Sequence, residues 1–150
     1  MTTPTCIDGL PIPCDPMCWR RAFPGRAEQA AAVRRFVSCL LTGSPYADDA
    51  VHVVAELTAN AICHSRSGEP GGLLVVQVRR WRGGGSIAVT DQGGPTEPHL
   101  GDPDPYAGHG LGLRLVAATA TWWGWRGDAT GRTVTAIFTC IGRRAVQPPG

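Results

Sequence analysis

Apolar side chains recur at helical spacing between Arg26 and Leu41. Ala30, Val33, Phe36, Val37, Leu40 and Leu41 share one side of a 3.6-residue turn, and Gly43 and Pro45 close the segment. A second helix is predicted over 47–65, with Ser44 as N-cap, Pro45 just inside, and Asp48 and Asp49 in the first turn, where the dipole favours anions. Its apolar arc is Val51, Val54, Leu57, Thr58, Ala61 and Ile62. A third helix is predicted over 111–122. Strands are read at 73–81 and 86–91, joined as a hairpin by Arg82 and three glycines, with shorter ones at 19–23 and, after a turn around 128–131, at 133–141.

The order strand, helix, helix, hairpin, loop, helix, strand predicts an α+β fold, a two-layer α/β sandwich with about three helices on one face of a mainly antiparallel sheet. A parallel doubly wound sheet fits less well, because no crossover helix separates the two hairpin strands. The chain divides into an N-terminal extension (1–17) with four Pro and no periodicity, one domain (18–141), and a tail (142–150). Its 150 residues suffice for one core.

Composition narrows the chemistry. All 14 basic side chains are Arg; the chain has no Lys. That excludes a Schiff base, a P-loop lysine and the strand lysine of eukaryotic-type kinases, so phosphate chemistry here must use other cations. A net charge of +2 without a basic run along the sequence argues against nucleic acid as a direct partner. No basic region followed by an apolar run opens the chain, so a cytoplasmic location with free thiols at the six Cys is expected. Cys39 and Cys63, within helices, are expected to be small buried hydrophobes. No apolar stretch reaches membrane-spanning length.

Three places could hold chemistry. On the second helix Glu56 and Asn60, four residues apart, are separated by about 40° of rotation and share a face with His52, beside the apolar arc; His64 lies nearer that arc. This is either a solvated face with a core-edge His or the rim of a site. At 90–95 a strand ends in Asp91 followed by Gln92, Gly93, Gly94 and Pro95. This is either an Asx turn or a place where a ligand approaches backbone while the carboxylate accepts from an exocyclic amine. At Gly108, His109, Gly110, Leu111, Gly112 and Leu113 a glycine-rich loop runs into a helix. It is either flexible punctuation or an anion site built from unpaired N–H groups and a helix dipole. It does not fit the Rossmann fingerprint, since Leu113 occupies the third glycine's place. The 17 residues from Gln92 to Gly108 contain four Pro and four Gly, and structureless loops of that length are usually functional.

In this order and context the three segments resemble the motif boxes of the GHKL-type ATP-binding fold (Bergerat-type), and more narrowly the small anti-sigma-factor serine/threonine kinases abundant in actinomycetes. Residues 55–65 are similar to the first box, 89–95 to the second, 108–116 to the third, and 125–138 to the family's last turn and strand. The resemblance implies ATP and Mg²⁺ as cofactors: Asn60 holding the metal, Asp91 accepting the adenine amine, Glu56 as general base toward a protein hydroxyl. It also implies Gly108, Gly110 and Gly112 around the phosphates, 92–107 as a lid, and His64, Gly93, Gly94, His109, Leu111 and Leu113 lining the nucleotide site. The implied partners are a sigma factor and a STAS-type anti-sigma-factor antagonist, with a homodimer as one option, and the implied role is transcription regulation.

The sequence departs from that pattern in the adjacent Gly93 and Gly94, in Asp102 and Asp104 of the lid, and in Ala107, Gly108 and His109 where kinase members often carry an Arg. Two functions follow: an anti-sigma regulatory factor with serine/threonine kinase activity, or a nucleotide-gated protein-binding regulator with little or no turnover. Trp122, Trp123 and Trp125 are either core at a helix end or a partner surface.

Overall fold

The computed structural model describes residues 16–98 and 111–140, together with two short paired strands, β1 (Cys6–Ile7) and β2 (Leu10–Pro11). The remainder of the expected extension and the tail lie outside the described residues. The main sheet contains β3 (Met17–Pro24), β4 (Leu73–Trp81), β5 (Gly84–Asp91), β6 (Trp122–Asp128) and β7 (Gly131–Thr139), in the order β3-β4-β5-β7-β6, antiparallel throughout. The helices are α1 (Ala30–Leu40), α2 (Ala47–His64) and α3 (Leu111–Thr119). This is the α+β sandwich the element order predicts.

The pleat places Leu74, Val76 and Val78 of β4, Ile87 and Val89 of β5, Val134, Ala136 and Phe138 of β7, and Trp123 of β6 on the helix side. Against them pack Val33 and Val37 of α1, Ala50, Val53, Val54, Leu57 and Ala61 of α2, and Leu113 and Val116 of α3. The predicted α2 arc is therefore right in direction but turned slightly, with Val51 and Ile62 only half-buried.

Several local expectations are corrected. The N-cap position of α2 is Tyr46, with no side-chain cap; Ser44 instead accepts from the Ala47 amide through its carbonyl at 3.1 Å. The helix entry is fixed by packing: the Tyr46 ring stacks on Phe138 at 5.8 Å between centroids, and a Cβ at neighbouring Gly85 would meet the Tyr46 hydroxyl at 2.7 Å. Residues 27–29 form a 3₁₀ turn ahead of α1. Half of the glycine-rich hairpin linker is strand, since Gly84 and Gly85 pair with Trp81 and Arg80.

The largest correction concerns the tryptophans. Helix α3 stops at Thr119, and Trp122, Trp123 and Trp125 belong to strand β6, an edge strand. Trp123 joins the main core. Trp122, on the opposite side with its register partner Ile137, is buried as well. With both faces covered, the segment lacks the alternation that marks a half-buried strand. Cys39 and Cys63 are exposed, because each falls outside the arc its helix turns to the sheet. Among the described residues no helix is long and apolar enough to cross a membrane.

In a chain without lysine, Arg80 closes the C-terminal end of α1, donating from one guanidinium nitrogen to the Leu40 and Thr42 carbonyls, both at 3.1 Å. A cation there meets the negative end of the helix dipole. Arg80→Ala is expected to lower unfolding stability by about 1–2 kcal/mol, measured by urea denaturation.

At the β6–β7 turn, hydrogen bonds from the Thr130 hydroxyl and then from its amide hold the Asp128 carboxyl below the usual carboxylate range. A depressed folded value means this contribution is present above the unfolded pKa and lost as pH falls through the folded one. Asp128→Asn is expected to lower thermal stability in the neutral region and to flatten the acid limb of its pH profile, so that variant and wild type converge as pH falls.

Candidate functional site

The site forms where the C-terminal half of α2 meets the carboxyl end of β5 and the first turn of α3. Glu56 and Asn60 lie half-buried on one face of α2, while His52 on the same stripe is exposed. Burying α2's apolar arc leaves this stripe at the margin of the core. Helix α3 crosses it there, and a Cβ added at Gly112 would stand 2.6 Å from Glu56 Oε2. The third glycine of the third segment thus lets the α3 backbone lie directly on the carboxylate of the first.

The second segment is tied to the other end of α2. Asp91 shares the helix-facing parity of Ile87 and Val89 on β5. One of its oxygens, Oδ1, accepts the Gly93 amide at 2.7 Å, an Asx turn that fixes the side chain. The two readings of this segment are compatible, since a carboxylate has lone pairs beyond those a single amide uses. The Gly93 carbonyl in turn accepts the Arg66 amide at 2.8 Å, two residues beyond α2. Gly93 has φ +76°, and a Cβ there would collide with the Ala129 carbonyl. A Cβ at Gly94 would stand 2.9 Å from the His64 carbonyl oxygen. His64 therefore meets the second segment through its backbone; its side chain is exposed, away from the core edge expected for it.

The structure thus sets Gly112 against Glu56, with Asn60 one turn further along the same helix face, and sets Gly93 and Gly94 against the C-terminal end of α2, with Asp91 held by the Gly93 amide; Leu113 is buried in the core. Leu111 opens helix α3. Gly108, His109 and Gly110, like 99–107 of the expected lid with Asp102 and Asp104, lie outside the described residues.

Three supporting residues have no role assigned from the sequence, although Ser65 lies in the first segment and Arg132 in the last. Ser67, fully buried just after α2, accepts the Gln92 amide through Oγ at 2.9 Å, and Gln92 Oε1 accepts the Leu73 amide at 2.9 Å. Ser65 Oγ accepts the Ser67 amide at 3.1 Å and donates to the Ala61 carbonyl. Arg132, 4% exposed, lies across the β5–β7 ladder from Asp91. Its signal in the sequence is parity, a charge in step with inward-facing Val134, Ala136 and Phe138.

An Mg²⁺ ion fits the donor set. One amide oxygen at Asn60 beside a carboxylate suits a cation that keeps several waters and takes its remaining ligands from phosphates. Among the described residues no group of three or more His, Cys, Asp or Glu could hold a metal alone. A separate open groove lined by Arg66, Glu69, Gly72, Gln92 and Thr130 includes none of Glu56, Asn60 or Asp91.

Gly93→Ala combines a positive φ with a backbone collision and is expected to cost about 2–3 kcal/mol of stability. Thermal unfolding checks this against Gly71→Ala, where φ is +79° and no atom lies within 4 Å.

Comparison with known proteins bears on the family and the fold. Residues 23–138 match the model of the histidine kinase-like ATPase domain. The fold is similar to the crystal structure of the RsbU and RsbW domains of Rv1364c from Mycobacterium tuberculosis, with a TM-score of 0.60 and 20% identity over 86% of this chain. This chain spans 32% of that one. No curated protein matches. With the second and third segments meeting α2 and a family match over most of its length, the chain belongs to the histidine kinase-like ATPase domain family.

Proposed function

We propose that the chain binds ATP with Mg²⁺ and acts as an anti-sigma regulatory factor that phosphorylates a serine or threonine of an anti-sigma-factor antagonist. The observation that carries this is the contact of the α3 backbone at Gly112 with the Glu56 carboxylate, which would bring a phosphate-binding helix terminus and a base to one place. The fold-level likeness to a structure containing an RsbW domain fits the regulatory part of the reading.

Each residue has a defined task. The Asp91 oxygen not used by Gly93 accepts from the adenine 6-amino group, where guanine would present a carbonyl acceptor and be rejected. Gly93 and Gly94 let the base approach backbone. Asn60 would hold the Mg²⁺ ion, which supplies positive charge to the phosphates when bound. Amides at the N-terminus of α3, backed by its dipole, take part of the phosphate charge that lysine carries elsewhere. Glu56 accepts the proton as the substrate hydroxyl oxygen bonds to the γ-phosphorus and the bond to the ADP oxygen breaks.

A second reading, a nucleotide-gated regulator with little turnover, is favoured by the residues just ahead of α3. There Ala107, Gly108 and His109 offer no guanidinium to the γ-phosphate, and Asp102 and Asp104 add negative charge. Under both readings titration calorimetry detects ATP in preference to GTP, and Asp91→Asn weakens ATP by about tenfold or more.

Glu56→Ala separates the two. Loss of phosphotransfer by about a hundredfold or more at unchanged ATP affinity supports the kinase. Unaltered partner regulation in a protein with no phosphotransfer to lose supports the second reading. An Asp91→Asn variant with full ATP affinity would remove Asp91 from the adenine site.

A further inference from the structure

Arg132 is the one buried charged side chain among the described residues, and its surroundings are unusual for one. Among the described residues no carboxylate bonds it. One guanidinium nitrogen donates to the Gly94 carbonyl at 2.8 Å and the other to the Thr96 carbonyl, while the group lies over the Trp125 ring at 5.9 Å. Its Nε is buried without a hydrogen-bond partner. A buried charge with one donor unsatisfied stabilises a fold less than an apolar side chain at the same inward position would. The arrangement therefore calls for a role other than core stability.

The chain it grips shows what that role is. Gly94 and Thr96 flank Pro95, which has no amide to donate, and Gly94 has no side chain to pack. Carbonyls are the available handles on this stretch, and a planar guanidinium with two outward nitrogens can hold two of them at once. Upstream, Gln92 and Gly93 are held by Ser67, Arg66 and Asp91. Arg132 extends that fixed stretch by three residues, from a ladder position directly opposite Asp91.

We propose that Arg132 is a positioning residue for the nucleotide site. By holding both carbonyls it fixes Gly94 to Thr96 as a rigid wall beside Asp91, so that this carboxylate and the wall are placed by the same rung of the sheet. The inference rests on Asp91 being the adenine acceptor, and it adds a residue that the three motif segments do not contain.

The test compares Arg132→Met, which keeps an apolar stem over Trp125 and removes both hydrogen bonds, with Arg132→Lys, which can still donate to both carbonyls. Backbone order parameters at Gly94 and Thr96 in nucleotide-free protein are expected to fall from about 0.85 to below about 0.6 in the Met variant and to recover in the Lys variant. ATP affinity measured by calorimetry follows the same order, about tenfold weaker for Met and largely restored for Lys. Unchanged order parameters in the Met variant overturn the proposal. So does a Lys variant that loses affinity and thermal stability together with Met, since that is the behaviour of a structural residue. Wild-type protein that binds no adenine nucleotide defeats the nucleotide reading and, with it, a positioning role toward nucleotide. The order parameters still report separately whether Arg132 holds this backbone.

Discussion

The bond from the Arg66 amide to the Gly93 carbonyl joins the end of the long helix to the end of a central strand, and the site is arranged around that junction. It requires Gly93 to adopt a left-handed conformation, which permits the Asx turn at Asp91 and brings Gly94 against the His64 carbonyl. Ser65 and Ser67 hold the exit of α2 in the shape that aims the Arg66 amide. Two loops that are 25 residues apart at Ser67 and Gln92 thereby behave as one backbone unit.

Because the helices cover one face of an antiparallel sheet, the helix-side ends of β5 and β7 open onto α2, and residues of inward parity at those ends become site residues once the core stops. Val89 and Val134 are core; the next inward positions, Asp91 and Arg132, are polar and face each other in the ladder. The same transition occurs along α2, where Leu57 and Ala61 are core and Glu56 and Asn60 form its margin. A single geometric boundary, the edge of the apolar layer, therefore generates the polar constellation on three elements. With no lysine in the chain, positive potential toward a phosphate must come from backbone dipoles, arginine or a bound cation, and the start of α3 is placed to supply the first of these.

What could be read from the sequence follows from this boundary. The helical arcs of α1 and α2 and the alternation of β4 and β5 are half-buried patterns, so the α+β layering was legible. Glu56, Asn60, Asp91 and Gly112 stood out in the sequence because each belongs to a compact segment of distinctive composition, and the structure sets Gly112 against Glu56 and holds Asp91 in an Asx turn. Strand β6 was not, because Trp122 and Trp123 are buried on opposite faces and erase the period of two. Exposed Cys39 and Cys63 were misjudged because a cysteine in a helix carries no directional signal by itself. Ser67 acts through one hydroxyl contacting an amide 25 residues away, a relation that local pattern does not contain. Arg132 was hidden for the same reason, since its partners Gly94 and Thr96 are joined to it by sheet topology alone.

These residues divide into two kinds with different consequences for evolution of the site. Gly93 cannot be replaced without disturbing the fold, because its conformation is shared by the junction and by Asp91. Glu56 and Asn60 sit on a helix whose packing does not use their polar atoms, so either can change with the scaffold intact. A substitution at either position on α2 therefore leaves the scaffold in place, whereas a substitution at Gly93 damages the junction between helix end and strand end. The joined loops at Arg66 and Gly93 are thus embedded in the fold, whereas Glu56 and Asn60 are side chains that the fold tolerates but does not need.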